Sequence, residues 1–198
     1  MKLYQIIVQQ GNAYIVVREV HHVNYSNVLY VEDEVTGLAC LNDTMYVVCA
    51  KSSTIFLYNT ETYSPLEQVI DVDGMTDPTD IVACLHDHQL YLADRAKENS
   101  CIWQVSADGH LSEKWLTTAD TSAMRHIETL SVTSRRLLVT LRNALYQYST
   151  TDKQHRVIQL SDDYQLCHGV ETTRQTFVVS YRTPKWHYGV SACTDEGR

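Results

Sequence analysis

Four basic side chains recur, to within one residue, at one place in a repeated pattern. Lys51 follows MYVVCA, Arg95 follows LYLAD, Arg142 follows LLVTL and Arg182 follows FVVSY, with Lys97 close to Arg95. Cations gathered on one face can hold an anion even on an acidic protein, because the local field decides capture. The plainer alternative is that these are solvated ends of apolar strands. The HDH stretch at 86–88 places two imidazoles one residue apart, but a transition-metal site needs a third ligand from elsewhere. The matching stretches Asn42-Asp43-Thr44 and Ser134-Arg135-Arg136 read as turns, so an exposed hairpin turn is expected at 86–88 too. His126 with Glu128 and His168 with Glu171 stand in roughly matching places, the most enzyme-like feature of the chain. GxSxG, P-loop, GxGxxG and HExxH patterns are missing from the sequence. No catalytic residue, bound metal or cofactor is expected. Six cysteines at 40, 49, 84, 101, 167 and 193 form no CxxC pair and read as small buried thiols, Cys40 and Cys84 in equivalent places.

Composition narrows the partner class. The 198 residues carry 16 Lys and Arg against 24 Asp and Glu, a formal charge of −8. Such a balance argues against a chain-wide nucleic-acid footprint and leaves room for a local basic patch. A 44% hydrophobic content is enough for a packed core, which sets the chain apart from disordered sequences. The opening MKLYQIIVQQGNAYIVV is broken by Tyr4, Gln5, Gln9, Gln10 and Asn12, so it lacks the apolar region of a secretory signal. No run approaches the roughly 18 apolar residues of a membrane helix. A soluble cytoplasmic protein without a membrane partner is the expectation.

The elements that would position these residues repeat. Anchors Met45-Tyr46, Leu90-Tyr91, Leu137-Leu138 and Thr176-Phe177 lie 39 to 47 residues apart, each after a short polar turn, the last being Thr173-Arg174-Gln175. A second β-like run follows each: TIFLYN (54–59), CIWQVS (101–106), ALYQYS (144–149) and GVSACT (189–194). A further run completes three of the units: EQVIDV (67–72), EKWLTT (113–118) and HRVIQL (155–160). Four short strands in units of about 40 to 47 residues predict an all-β fold, a β-propeller of four-stranded antiparallel blades. An irregular sandwich is the competing fold. Only TSAMRHIE (121–128) reads as a helical turn.

Residues 78–110, PTDIVACLHDHQLYLADRAKENSCIWQVSADGH, resemble an NHL repeat. That unit opens on a Pro before an Asp-Ile strand, continues with a Tyr-x-x-Asp strand and closes on Asp-Gly. Pro78, Asp80, Tyr91, Asp94, Asp108 and Gly109 stand at those places. Residues 169–198 resemble a diverged copy, and the third unit departs by placing Leu141 where the second has Asp94. The resemblance implies a propeller of usually six blades, of a family whose members serve as recognition modules and whose divergent relatives include lyases and lactonases.

One propeller domain is therefore expected over 1–198, divided as a partial blade (1–35), three blades (36–78, 79–125 and 126–168) and an incomplete blade (169–198). At ~43 residues per unit the chain makes four to five blades, whereas six need roughly 260 residues. The ring is expected to be incomplete here, its missing blades coming from the rest of a longer chain or from a partner. The expected function is a non-enzymatic interaction module of NHL type. It would bind a protein, peptide or other anionic partner on one loop face through Lys51, Arg95, Arg142 and Arg182. The alternatives are a lyase or lactonase with a channel metal, and single-stranded RNA binding.

Overall fold

The structure is a computed structural model. It describes the strand backbone of residues 2–9, 12–19 and 25–31, and backbone and side chains of residues 33–96, 99–120, 127–160, 164–172 and 176–194. His126, Lys97, the turn at 173–175 and most of the expected helical turn at 121–128 lie outside the described residues. Every regular element described is a strand. β1 (Lys2–Gln9), β2 (Asn12–Glu19) and β3 (Tyr25–Val31) form one three-stranded sheet. β4 (Val35–Leu41), β5 (Thr44–Cys49), β6 (Thr54–Asn59) and β7 (Pro65–Asp71) form a four-stranded one. β8 (Pro78–Cys84), β9 (Gln89–Asp94), β10 (Cys101–Ser106) and β11 (Ser112–Thr117) form the next. β12 (Ile127–Thr133), β13 (Arg136–Leu141), β14 (Ala144–Ser149) and β15 (His155–Gln159) follow, then β16 (Gln165–Glu171), β17 (Phe177–Arg182) and β18 (Tyr188–Cys193). Every sheet is an antiparallel meander in chain order.

Burial explains the residue types. The second strand of a sheet is covered on both faces, so TMYVVC, QLYLAD and RLLVTL are continuous apolar runs with five buried residues after the first. In β9 the faces separate cleanly. Leu90 and Leu92 pack with Ala39, Leu41 and Ile55 of the preceding sheet, whereas Tyr91 and Ala93 pack with Leu130, Leu137 and Val139 of the following one. The outermost strand needs no such cover, and β7 is exposed at all but one position. The first strands β4, β8, β12 and β16 lie side by side in that order.

Each of these four strands carries a bulge at the same place: between Val35 and Gly37, Pro78 and Asp80, Ile127 and Thr129, Leu166 and His168. The residue after the bulge opens a row that crosses the sheet, giving Gly37–Val48–Ile55, Asp80–Ala93–Ile102, Thr129–Thr140–Leu145 and His168–Ser180–Val190. Ile55, Ile102 and Leu145 are completely buried, but Val190 is 70% exposed, because no further sheet among the described residues stands against β16–β18. The register corrects one equivalence. Cys40 pairs with Met45 and Cys84 with Gln89, so Cys84 matches Leu41 and Cys40 lies on the other face, half-buried. The displacement arises because the turn at 85–88 is two residues longer than that at 42–43. None of the six cysteines is joined in a disulfide.

Candidate binding face

All four sequence-selected cations fall where a second strand ends. Lys51 is two residues beyond β5, Arg95 and Arg142 one residue beyond β9 and β13, and Arg182 is the last residue of β17. In a meander the second strand ends beside the start of the first, and the first strands of these sheets are neighbours. Contacts between sheets show that these ends share one face. Arg95 reaches the start of β12, where its Nη2 donates to the Ile127 carbonyl (2.9 Å) and lies 3.5 Å from the Glu128 carboxylate. The Arg142 carbonyl accepts from the Leu166 amide at the start of β16 (2.7 Å). Thr36 at the start of β4 donates its hydroxyl to the Pro78 carbonyl at the start of β8 (2.7 Å).

The four cations are not equivalent. Lys51 is exposed on a turn where its φ is +59°, and Arg142 is exposed as well. Arg95 is tied to the next sheet, a half-exposed pair with Glu128 that contributes at most about 1 kcal/mol. Arg182 donates to the Gln165 side chain and stacks its guanidinium 4.2 Å over the Trp186 ring. Trp186 itself is 66% exposed on the β17–β18 turn, with φ +62°. Sequence reasoning passed over it; its signal is an aromatic in the turn TPKWH, where a hairpin has no core to fill.

Asp94 is the organiser of this face. It is buried, and its Oδ1 accepts from the amides of Asp77 (2.9 Å) and Ala96 (3.2 Å). Its Oδ2 accepts from the Thr76 amide and the Trp103 indole, each at 3.1 Å. One carboxylate thereby holds the connection from β7 to β8, the loop after β9 and strand β10. Asp80 lies on the inner strand, where Oδ2 accepts from the Leu130 amide of β12 (2.7 Å) and Oδ1 from the Ile81 amide (2.9 Å). Burial pushes its carboxyl up to about 6 against the pull of those two amides. Asp108 and Gly109 close the β10–β11 turn. The carboxylate accepts from the Ser106 hydroxyl (2.6 Å) and His110 amide (3.1 Å), and Gly109 takes φ +78°.

Of the two enzyme-like pairs, His168 and Glu171 do not converge, and His126 of the other lies outside the described residues. Glu171 turns toward β13 and β14, with Arg136 at 2.9 Å and the Gln147 amide at 2.7 Å. His168, three residues earlier on the same strand, is exposed, with Nδ1 2.8 Å from the Thr129 hydroxyl. An odd separation along a strand puts the two on opposite faces. Glu128 is the partner of Arg95. Among the described residues no three His, Cys, Asp or Glu side chains come together as a metal site requires.

With the geometry in place, the chain can be set beside known proteins. No known sequence family matches it, and no curated protein sequence does either. Solved structures do. Hydrazine synthase of Kuenenia stuttgartiensis superposes with a TM-score of 0.68 at 16% identity over 94% of this chain. The extracellular domain of a putative one-component system from B. thetaiotaomicron gives 0.66 at 12% over 98%. The Cps50 (Swd1) β-propeller domain of Myceliophteria thermophila gives 0.61 at 9% over 86%. The fold is an incomplete β-propeller. This chain spans 58%, 27% and 56% of those three chains respectively. Identities this low establish the propeller architecture alone, and propellers serve unrelated functions.

Proposed function

We propose that this propeller is a non-enzymatic interaction module, of NHL type, that binds an anionic protein or peptide on the face where the second strands end. The observation that carries this reading is the gathering of Lys51, Arg95, Arg142 and Arg182 at one end of four successive sheets on a chain of charge −8. Lys51 and Arg142, being exposed, meet the partner. Arg95 and Arg182 add field while serving as braces, one between sheets and one under Trp186. The NHL assignment rests on Pro78, Asp80, Tyr91, Asp94, Asp108 and Gly109. Of these, Asp94, Asp80, Asp108 and Gly109 each hold a turn, connection or strand contact in the blade.

The test is a titration of the protein with a fluorescent poly-glutamate peptide at several salt concentrations. A K51E/R142E variant should lose binding while keeping its unfolding midpoint, since exposed charge changes usually move stability by only about 0.5 kcal/mol. Binding to the unaltered protein should weaken with salt, as exposed charges beyond ~8 Å are screened at 0.15 M. Equal binding by both proteins would overturn the reading. Capture of an oligouridylate in place of the peptide would transfer it to RNA.

A further inference from the structure

The opposite face of the propeller carries the turns between first and second strands, and there the HDH motif acquires a structural setting. Three of these turns are described: 42–43 and 134–135 have two residues, whereas 85–88 has four. In all three sheets the turn is fastened to the turn between third and fourth strands by one backbone bond. These are Thr60 to the Asp43 carbonyl (2.9 Å), Ala107 to that of His88 (3.1 Å) and Thr150 to that of Arg135 (2.9 Å). The two extra residues therefore stand proud of a fixed rim. They raise one wall of a cleft of about 350 Å³ lined by Ala83, Cys84, Leu85, His86, Val132, Thr133 and Ser134.

The cleft has an apolar interior and a cationic edge. Ala83 and Val132 come from adjacent inner strands, and Leu85 is 68% exposed on the raised turn. The Cys84 thiol is engaged by the Ser134 carbonyl at 3.4 Å. Across the top, Arg135 donates its Nε to His86 Nε2 at 2.6 Å, joining the two turns. This bond uses one guanidinium donor and pins the plane of the others, the preorganised fork that suits a carboxylate. Neither Arg135 nor Asp87, the one acid of the raised turn, is part of the lining: Arg135 stands at its rim through His86, and Asp87 interacts with the Cys84 thiol and has one oxygen buried. An apolar volume of this size, near the lower bound for ligand pockets, accepts a side chain and its immediate neighbour.

We infer that this cleft is a docking site for a peptide that presents an apolar side chain next to a carboxylate. The side chain fills the space between Leu85, Ala83 and Val132, and the carboxylate meets Arg135. The site is independent of Lys51 and Arg142, which lie at the other end of the sheets, so the two readings fail separately.

The minimal probe is N-acetyl-leucine, followed by the methyl NMR signals of Ala83, Leu85 and Val132. These signals should shift saturably. N-acetyl-leucinamide, lacking the charge, and N-acetylglycine, lacking the side chain, should each bind about tenfold more weakly or worse, the change expected on losing one charge-assisted contact or a buried side chain. R135Q should lose about tenfold and L85S a similar factor, both at exposed positions that leave the fold intact. K51E/R142E should bind the probe as the unaltered protein does. An N-acetyl-Leu-Glu-amide peptide should bind at least as well as the free amino acid derivative. Unmoved methyl signals at the probe's solubility limit, equal binding of the amide, or an R135Q affinity within twofold would each overturn the site. Binding of N-acetyl-leucine with rejection of the peptide would overturn the peptide assignment.

Discussion

Replacing Asp94 by Ala removes the acceptor of four hydrogen bonds in a position that is 1% exposed. Three of the donors are backbone amides of connections, Thr76, Asp77 and Ala96, and the fourth is the Trp103 indole. A hydrogen bond to a charged group contributes roughly 1.5–3 kcal/mol, and a buried donor left unsatisfied costs about 1–3 kcal/mol. The four do not sum, because the loops relax and water reaches some of the amides. A net loss of about 3–5 kcal/mol is expected, the range found when one partner of a buried charged network is deleted. Against a total stability of about 5–15 kcal/mol this is a large fraction. D94N keeps one acceptor oxygen but turns an amino group toward two donors, and should lose about 2–3 kcal/mol. W103F withdraws a single donor, and combined with D94A should show a coupling of about 1 kcal/mol. Urea unfolding followed by tryptophan fluorescence measures all four proteins; at about 2 kcal/mol per molar, a 4 kcal/mol loss moves the midpoint by about 2 M. A D94A loss below about 1 kcal/mol, or no coupling to Trp103, would refute the role assigned to this carboxylate. Because Asp94 also holds the backbone beside Arg95, D94N should weaken anion capture on that face as well.

Two further outcomes follow from the inner strands. Asp80 binds its proton more tightly in the folded protein, near pH 6, than its ordinary 3.8. The native state therefore holds more protons than the unfolded one between those values, and stability falls as pH rises from about 4 to 6, by roughly 3 kcal/mol at most. D80N should flatten that limb in pH-dependent urea midpoints, and an unchanged slope would dismiss the buried carboxyl as its source. A Cβ at Gly37 would stand 2.8 Å from the Ile81 nitrogen and 3.0 Å from the Asp80 Cα, both backbone. G37A should therefore force β4 from β8 and cost about 1–3 kcal/mol in the same assay, whereas an unaltered midpoint would mean the strands yield freely.

Local pattern carried the strands and their arrangement in sheets. TIFLYN, CIWQVS and ALYQYS are strands β6, β10 and β14 to the residue. Continuous apolar runs identified the second strands because a strand covered on both faces has no polar side to show. The recurrence of four strands implied a propeller, since a unit that cannot bury its own faces must stack on copies of itself. The same recurrence placed four cations at one end of their sheets to within one residue, Lys51 standing one position further on than the other three, as the spacing along a chain survives folding.

What contact between sheets decides was beyond that pattern. The bulges that align Gly37, Asp80, Thr129 and His168 insert a residue without marking the sequence. Two extra turn residues moved Cys84 out of equivalence with Cys40 and raised the wall of the cleft whose His86 bonds Arg135. Glu171 looked like a partner for His168 and binds Arg136 instead, and Glu128 binds Arg95, because their neighbours come from sequence-distant strands of another sheet. A strand's alternation states which face a side chain occupies; only packing of one sheet on the next states what that face meets. Trp186 belongs to the same class, an aromatic that acquires a purpose once the fold sets Arg182 against its ring.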